Sequence, residues 1–580
     1  MDIQEKLKSL VEGALRALAI SVPNIILEHP ADLSHGDYAT NIAMFVAKEA
    51  NKNPAYRQSG SRELATDLVT EMEKIKPHFV DAIEVAGPGF INFRLSRSFF
   101  SDSLRTIKKD GKDFGNTRDL KGQKYLVEYT DPNPFKEFHI GHLMSNAIGE
   151  SLSRLFASQG AKVKRMCYQG DVGPHVAKAL WAMKKNITLM PDKKSSTDKR
   201  AIFLGHCYAE GSKAYEEDAN AKMEIDVINK AVYEGTNRDL IKLYKKGRKW
   251  SLEKFEEIYK TLGTKFDYYI LESEVVHDSI AIVENYLATG IFEKSDGAIV
   301  FHGEKYDAKL HTRVFINSQG LPTYEAKELG LNLKKWKKIR PDKSIIITAN
   351  EQSDYFRVLL KALELIEPEV RSVTEHIAHG MLRFAEGKMS SRTGNVITGE
   401  SLVNEIKILV DKKLESREMK ETEKKEVAEI VAVAAIKYSI LKHVTFGDII
   451  YDFEKSISFE GDSGPYLLYS AVRARSILEK AKREGVKPSL STAPKEVSVL
   501  EKILYRFPEI VSRSVSERAP HHIATYLIEL SAIFNSWYAN TQIVDKNDTA
   551  SAYRVALTGC FLTISKNGLN LLGIRVPDRM

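Results

Sequence analysis

The sequence predicts a multidomain protein in three parts. These are an α/β N-terminal domain over residues 1–110, a doubly wound parallel α/β domain over 120–400 with a helical insertion at about 185–300, and an all-α C-terminal bundle over 401–580. Three observations carry that expectation. Between Lys124 and Phe156 the hydrophobic period changes twice, from a β-prone run to a proline-bearing loop and then to apolar residues at helical spacing. A second apolar run, Lys162–Tyr168, follows at the distance of a βαβ crossover, which makes the two runs parallel neighbours. From about residue 400 the pattern stays helical to the end.

A chain of 580 residues is too long for one core. The net charge of +7 is compatible with a polyanionic partner without identifying one. Three scattered cysteines, Cys167, Cys207 and Cys560, exclude a disulfide framework and suit a reducing compartment. The opening MDIQEKLKSLVEGALRALAI has acidic residues and helical period where a signal peptide would be basic and then apolar, and no run has membrane-spanning length. A cytoplasmic protein without a membrane partner is expected. There is no internal repeat and no low-complexity tract.

Taken in order, residues 1–110 open on a helix, with a strand expected at Asn24–Glu28 and a helix at Ala39–Ala50. Ala86–Phe90 is turn chemistry ahead of an alternating strand, Ile91–Leu95. The charged stretch 108–124 reads as a linker. The next unit places His139, Ile140, Gly141 and His142 in the first turn of a helix at the carboxyl end of the first parallel strand. Unpaired N–H groups and the helix dipole favour an anion there. Two imidazoles three residues apart share one side, and Gly141 lets a flat group approach the backbone. The pattern points to a nucleotide site. An ordinary polar helix start and a zinc site compete with it, and zinc would want further Cys or His ligands.

Beyond the crossover, Gly170, Asp171 and Gly173 fall at a strand end, where doubly wound sheets bind ligands. Residues 185–300 are highly charged and helical, an insertion with solvated faces. Tyr324 and Glu328, four apart, share a helix face. They suit the stem and guanidinium of an arginine, or else are a surface acid beside a core tyrosine. Ser344–Thr348 is expected as a buried parallel strand. Lys388–Gly394 is a basic, hydroxyl-rich loop of the sort that closes over phosphates. Val427–Leu441 is almost wholly apolar and hence buried, and Gly464–Lys480 is an amphipathic basic helix.

The string PNPFKEFHIGH, Pro132–His142, closely resembles the HIGH signature of class I aminoacyl-tRNA synthetases, and its preamble E-x-x-x-P-N-x-x-K-x-x-H resembles the arginyl-tRNA synthetase version. HGDYATNIAM (His35–Met44), GPGFINF, YEAKE, KMSSRTG, GPYLLY and the PDRM ending follow in family order over nearly the whole chain. The resemblance implies that His139 and His142 contact the ATP phosphates and ribose and stabilise charge on the α-phosphate electrostatically. Gly141, Lys136, Lys388 and Arg392 complete the implied catalytic set. Implied ATP contacts also include Pro134, Gly170, Asp171, Gly173, Met381, Lys388, Met389 and Ser390. The implied arginine pocket is Glu128, Asn133, His139, Tyr324 and Glu328, with Glu128 and Asn133 at the α-amino end and carbonyl.

The chain departs from the family pattern in three places. The family's Y-x-x-x-D is Tyr324 and Glu328 here. Val358 stands where relatives often have a substrate-touching glutamine, which is therefore not carried over. The usual catalytic lysine of the KMSKS loop is Ser391. Lys136 matches a lysine found in arginyl-tRNA synthetases that lack the loop lysine, so the phosphate cation comes from Lys136 or from Lys388 and Arg392.

For tRNA, the resemblance implies elbow contacts by Asn92 and Phe93, as a hydrogen-bonding group and a stacking face. It implies anticodon contacts by Tyr469, Arg473, Tyr538 and Met580. The implied reaction joins L-arginine and Mg-ATP into arginyl-adenylate with release of pyrophosphate, then moves the arginyl group to the terminal adenosine of the arginine tRNA. ATP enters with Mg2+ as a substrate complex, no structural metal is expected, and the protein is expected to act as a monomer. A cysteine-specific class I enzyme would want thiolate zinc ligands. A nucleic-acid-binding paralogue without catalysis would not need Glu128, Lys136, His139 and His142 intact.

Overall fold

The structure is a computed structural model that describes residues 3–21, 24–50, 60–192, 194–384, 398–414 and 418–580. The chain divides into two compact units, one of Met1–Phe114, Arg473–Phe507 and Ala532–Ile564, the other of Gly115–Val472, Pro508–Ser531 and Ser565–Met580.

The N-terminal stretch folds as α1 (Ile3–Ala17), β1 (Tyr38–Thr40), α2 (Ile42–Ala50), α3 (Ser61–Lys74), β2 (Val80–Ala86), β3 (Phe90–Leu95) and α4 (Arg97–Asp110). In α1 the residues Leu7, Leu10, Val11, Ala14 and Leu15 recur at helical spacing and form its buried face. They pack on Leu64 and Leu68 of α3 and on Ile91, Phe93 and Leu95 of β3, the middle strand of the antiparallel order β1-β3-β2. Burying one such side chain is worth about 1.5–3 kcal/mol.

Three expectations change in this region. Residues 24–28 contribute only an isolated bridge between Glu28 and Ala39. Residues 38–40 pair with β3 as a strand, and the helix begins at Ile42, whose N–H donates to the Thr40 hydroxyl. Phe93 is wholly buried and Asn92 is 5% exposed. Neither offers a free face to an RNA base, so the expected elbow contact by these two residues is corrected.

The second unit opens with β4 (Lys124–Glu128), α5 (Ile140–Ser158), β5 (Lys162–Gln169) and α6 (Pro174–Lys185), then the long helices α7 (Thr197–Glu217), α8 (Ala219–Glu234) and α9 (Arg238–Leu262). It continues with β6 (Tyr268–Leu271), α10 (Val276–Asn285), β7 (Glu293–Ser295), β8 (Ala298–His302), β9 (Thr312–Ile316), α11 (Tyr324–Ile339), β10 (Lys343–Ala349), α12 (Ser353–Ile366), α13 (Pro368–Val373), β11 (Thr374–His379) and β12 (Leu382–Phe384). Five strands make a parallel sheet in the order β11-β10-β4-β5-β6. Later strands lie on both sides of β4, so the strand order reverses between β4 and β10 and a crevice opens at their carboxyl ends.

The helical part of the insertion is narrower than 185–300. It closes at Leu262, where Gly263 takes the left-handed conformation of a helix C-cap. Tyr268–Leu271 is the edge strand of the parallel sheet, and 293–316 contains an antiparallel sheet, β7-β8-β9. These strands have three to five residues, too few for period two to stand out among charges.

The rest of the chain is α14 (Gly399–Leu414), α15 (Glu421–Leu441), β13 (Ile449–Tyr451), α16 (Phe453–Ser456), α17 (Gly464–Arg483), α18 (Val499–Leu504), α19 (Phe507–Ser516), α20 (His521–Asn540) and α21 (Ser551–Leu571). β13 pairs in parallel with β12. The apolar run of α15 is buried, and its one lysine, Lys437, donates to the carbonyls of Leu262 (2.6 Å) and Gly573 (2.7 Å). No described helix is long and apolar enough to cross a membrane.

Candidate active site

The loop from β4 to α5 sets the first half of the site. It carries Pro132 and Pro134, and Thr130, Asp131 and Phe135 have φ of 81°, 42° and 70°. Such conformations cost of order 1–3 kcal/mol each and persist only where the surroundings hold them. The insertion supplies that hold. Phe135 lies against Gly247 of α9, where an added Cβ would come within 2.2 Å of the ring, and its N–H donates to Ser251 Oγ at 2.9 Å.

His139 caps α5. Its backbone N–H donates to His142 Nδ1 at 3.2 Å, and the two rings stack with centroids 3.5 Å apart. With Nδ1 accepting, His142 carries its proton on Nε2 and is a donor there. Burial, assisted by His139 and Lys136, holds His142 well below the usual histidine range. Burial and then Lys136 lower His139 in the same direction. Both rings are therefore neutral at pH 7, and they add N–H donors to the unpaired amides of the helix start. A Cβ at position 141 would sit 3.0 Å from His139 Cε1, so any side chain there would press on the His139 ring.

Beneath these rings lies a cavity of about 380 Å³ at the carboxyl ends of β4, β5, β10 and β11. Among the described residues five carboxyls line it, Glu128, Asp131, Glu272, Glu325 and Glu328, and Arg313 at its wall pairs with Glu325 at 3.7 Å. Lys335 pairs with Glu128 at 2.9 Å and Lys327 with Glu272 at 2.6 Å, all four side chains being nearly inaccessible. Neither ammonium forms an ion pair with Glu328. Burial and then the charge of Glu128 push its carboxyl up to about 8, and the same two causes raise Asp131 well above its usual value. Among the described residues, Glu328 Oε2 and Tyr168 Oη are buried without a hydrogen-bond partner. An unsatisfied buried acceptor costs about 1–3 kcal/mol. A cation rich in N–H donors would relieve it.

Of the residues expected from sequence, Glu128, Asn133, His139, Gly141, His142, Gly170, Tyr324 and Glu328 all line this one cavity. Pro134 is buried in the loop, and Gly173 starts α6 at φ 121°. Asp171 does not fit its expected ATP role. It is fully buried, and its carboxylate accepts from Tyr244 Oη (2.6 Å), Arg248 (2.7 Å) and the Ser273 N–H and hydroxyl (both 2.8 Å). That set ties the end of β5 to α9 and to the turn after β6, leaving the carboxylate nothing to offer a nucleotide.

Lys136 borders a separate cavity, with Nζ 5.2 Å from the centre of the Tyr208 ring. Met381 joins β11 to β12, and its N–H donates to Asp448. Lys388, Met389, Ser390, Ser391 and Arg392 lie outside the described residues. Tyr469 is half-buried on α17, and Met580 is partly exposed. The Arg473 guanidinium lies 4.9 Å from the centre of the Tyr538 ring, which is 40% exposed, and bonds to Asn535. Val358 belongs to the core, whereas Gln352, the cap of α12, lines the cavity.

Sequence reasoning missed Tyr168, Glu272, Lys327, Lys335, Gln352, Tyr355 and His379. A signal existed for Lys335, which follows Glu328 by seven residues, two turns along the same face.

The parallel sheet and the imidazole-bearing helix start at its reversal point define a class I aminoacyl-tRNA synthetase catalytic domain. The family model described as "tRNA synthetases class I (R), catalytic domain" matches residues 105–453. "Arginyl tRNA synthetase N terminal domain" matches 3–95 and "DALR anticodon binding domain" matches 467–580. The chain therefore belongs to the arginyl-tRNA synthetase family. An arginine–tRNA ligase of Borreliella burgdorferi is 30% identical, with 99% of this chain and 98% of the relative covered. One from Treponema denticola is 29% identical over the whole of both chains. The solved arginyl-tRNA synthetase of Thermus thermophilus shares the fold over the full length of both chains, with a TM-score of 0.80 at 24% identity.

Proposed function

We propose that this protein charges tRNA with arginine in two steps. Arginine's carboxylate attacks the α-phosphate of ATP, brought in with Mg2+, to give arginyl-adenylate and pyrophosphate. The 3′-terminal adenosine of the tRNA then takes the arginyl group. The observation that carries the amino-acid choice is Glu328. Its buried carboxyl is raised by its surroundings and has an oxygen without a partner, in a cavity that Tyr324 also lines and whose wall carries, among the described residues, five acids against the one cation Arg313. A guanidinium supplies the missing charge and donors in planar geometry.

The neutral imidazoles of His139 and His142 and the start of α5 stabilise the negative charge that develops on the phosphates. Lys136 lies close enough to lower both imidazole pKa values and is our candidate for the cation that Ser391 cannot supply. Glu128 and Asn133 would hold the α-amino end and carbonyl of the substrate. Tyr469, Arg473, Tyr538 and Met580 are candidates for anticodon contact. We assign the protein to the cytoplasm and to a monomeric state on its resemblance and composition.

The test is ATP–pyrophosphate exchange with and without arginine tRNA. Exchange that depends on arginine and does not respond to citrulline, which lacks the cation, is expected. Absence of arginine-dependent exchange with tRNA present would overturn the proposal.

A further inference from the structure

We propose that Lys254, on insertion helix α9, is a positioning residue for the imidazole pair and acts through the start of α14. Its side chain is 8% exposed and lies between Asp198 in the first turn of α7 and Glu400 in the first turn of α14, forming ion pairs with both. Glu257 is a third, more distant partner at 3.8 Å. Acidic first turns are where a helix favours negative charge, so one ammonium bridges two helix starts.

The start of α14 is fastened directly to the imidazole helix. Thr398 makes an antiparallel bridge with His139, and the Gly399 N–H donates to the Phe138 carbonyl at 2.7 Å. Gly399 sits so close that a Cβ there would come within 2.9 Å of Leu143 Cγ and 3.0 Å of Phe138 Cδ1. Thr398 and Ser401 cap one another, each N–H donating to the other's hydroxyl at 3.0 Å. Glu400 is thus two residues from the bridge that holds the His139 backbone.

The first turn of α14 packs on α5 through Gly399, but toward α7 and α9 it faces a gap. A cavity of about 330 Å³ separates α7, α9 and α14 here, with Phe138, Lys254, Glu400 and Ser401 among its walls. The ion pairs cross a gap that side chains do not fill, so cutting them removes the side-chain tie between α9 and the first turn of α14, the turn that is fastened to the His139 backbone. Asp198 and Glu400 keep 64% and 36% of their side-chain surface exposed, so both can be solvated if Lys254 is removed. The effect on folding is then small, while the effect on placement is not.

The inference rests on the proposed role of His139 and His142, and the experiment separates the two. Exchange kinetics, thermal melts and KM values are measured for Lys254→Met, Lys254→Arg, Glu400→Gln, the Lys254→Met/Glu400→Gln pair and His139→Asn. Displacing reacting groups by about 1 Å costs up to roughly 10²-fold. Lys254→Met is therefore expected to lower kcat by about 10- to 100-fold and raise the ATP KM, with arginine KM within about twofold. Lys254→Arg should recover most of the loss. Glu400→Gln should reproduce it, and the pair should be no worse than either single change, as expected of one shared contact.

If His139→Asn leaves exchange intact, the reading of the imidazoles fails. If His139→Asn abolishes exchange while Lys254→Met and Glu400→Gln retain wild-type kcat, the positioning role is overturned. It is overturned equally if kcat, arginine KM and melting temperature change together. Should Lys254→Met not fold, Glu400→Gln decides the matter alone.

Discussion

Arginine affinity should depend on pH through Glu328. In the free protein, burial and the charge of Glu128 raise its carboxyl from 4.5 to about 8. A guanidinium bound to it would favour the ionised form, so below pH 8 arginine binding must expel a proton. The apparent Kd then follows 1 + 10^(8−pH). It weakens about tenfold from pH 7 to pH 6 and about 50-fold from pH 8 to pH 6, at about 1.4 kcal/mol per unit.

Isothermal titration calorimetry in buffers of different ionisation enthalpy tests this directly, with about 0.9 proton released per arginine at pH 7. Glu328→Gln mimics the protonated carboxyl. Its affinity should lie about 10- to 150-fold below wild type near pH 8.5, show no slope, and meet the wild-type curve between about pH 7 and just below pH 6, according to the size of that loss. The linked stability has a definite sign. A carboxyl with a raised folded pKa stabilises the arginine-free fold below pH 4.5 and loses that contribution as pH rises through 8. Saturating arginine should flatten the decline. A wild-type Kd that stays level from pH 6 to 8.5, with no proton release, would refute the assignment of Glu328 to the guanidinium.

Lys136→Ala should lower exchange kcat by about 10²- to 10³-fold with a modest change in arginine KM, and Ser391→Lys on top should restore part of the loss. Near-normal kcat in Lys136→Ala, with activity lost instead in Lys388→Ala or Arg392→Ala, would place the phosphate cation in the other loop. Arg473→Ala or removal of Met580 should weaken tRNA binding at fixed salt while arginine and ATP affinities hold; unchanged tRNA affinity in both would move the anticodon contacts elsewhere. Burial lowers Lys437 from 10.5 to about 7, so the unfolded chain binds more protons between those values and stability should rise with pH through that window. Urea midpoints at pH 7, 8 and 9 should show an increment in wild type that Lys437→Met lacks, and equal slopes would remove Lys437 as its source.

Local chemistry was legible in the sequence. His139, Gly141 and His142 act within one helical turn, and Tyr324 and Glu328 are four apart on one helix, so spacing alone puts each set on one face. The change of period after Glu128 and the apolar run at 344–348 were enough to expect a parallel sheet with its ligands at the strand ends.

What the sequence left open depended on contacts between distant segments. Alternation along Ile91–Leu95 shows that one face is buried but not what covers the rest, and Phe93 and Asn92 proved to be interior once β1 and β2 flanked them. Asp171 reads as a ligand until Tyr244, Arg248 and Ser273 arrive from α9 and beyond to consume its carboxylate. The charge balance of the cavity is decided at the same level. Glu128, Glu272, Lys327, Glu328 and Lys335 come from three separate stretches of chain, and only folding determines which acids receive an ammonium. Glu328 is left protonatable and without an ammonium because an ion pair is a matter of ångströms in space, which no spacing along the chain encodes.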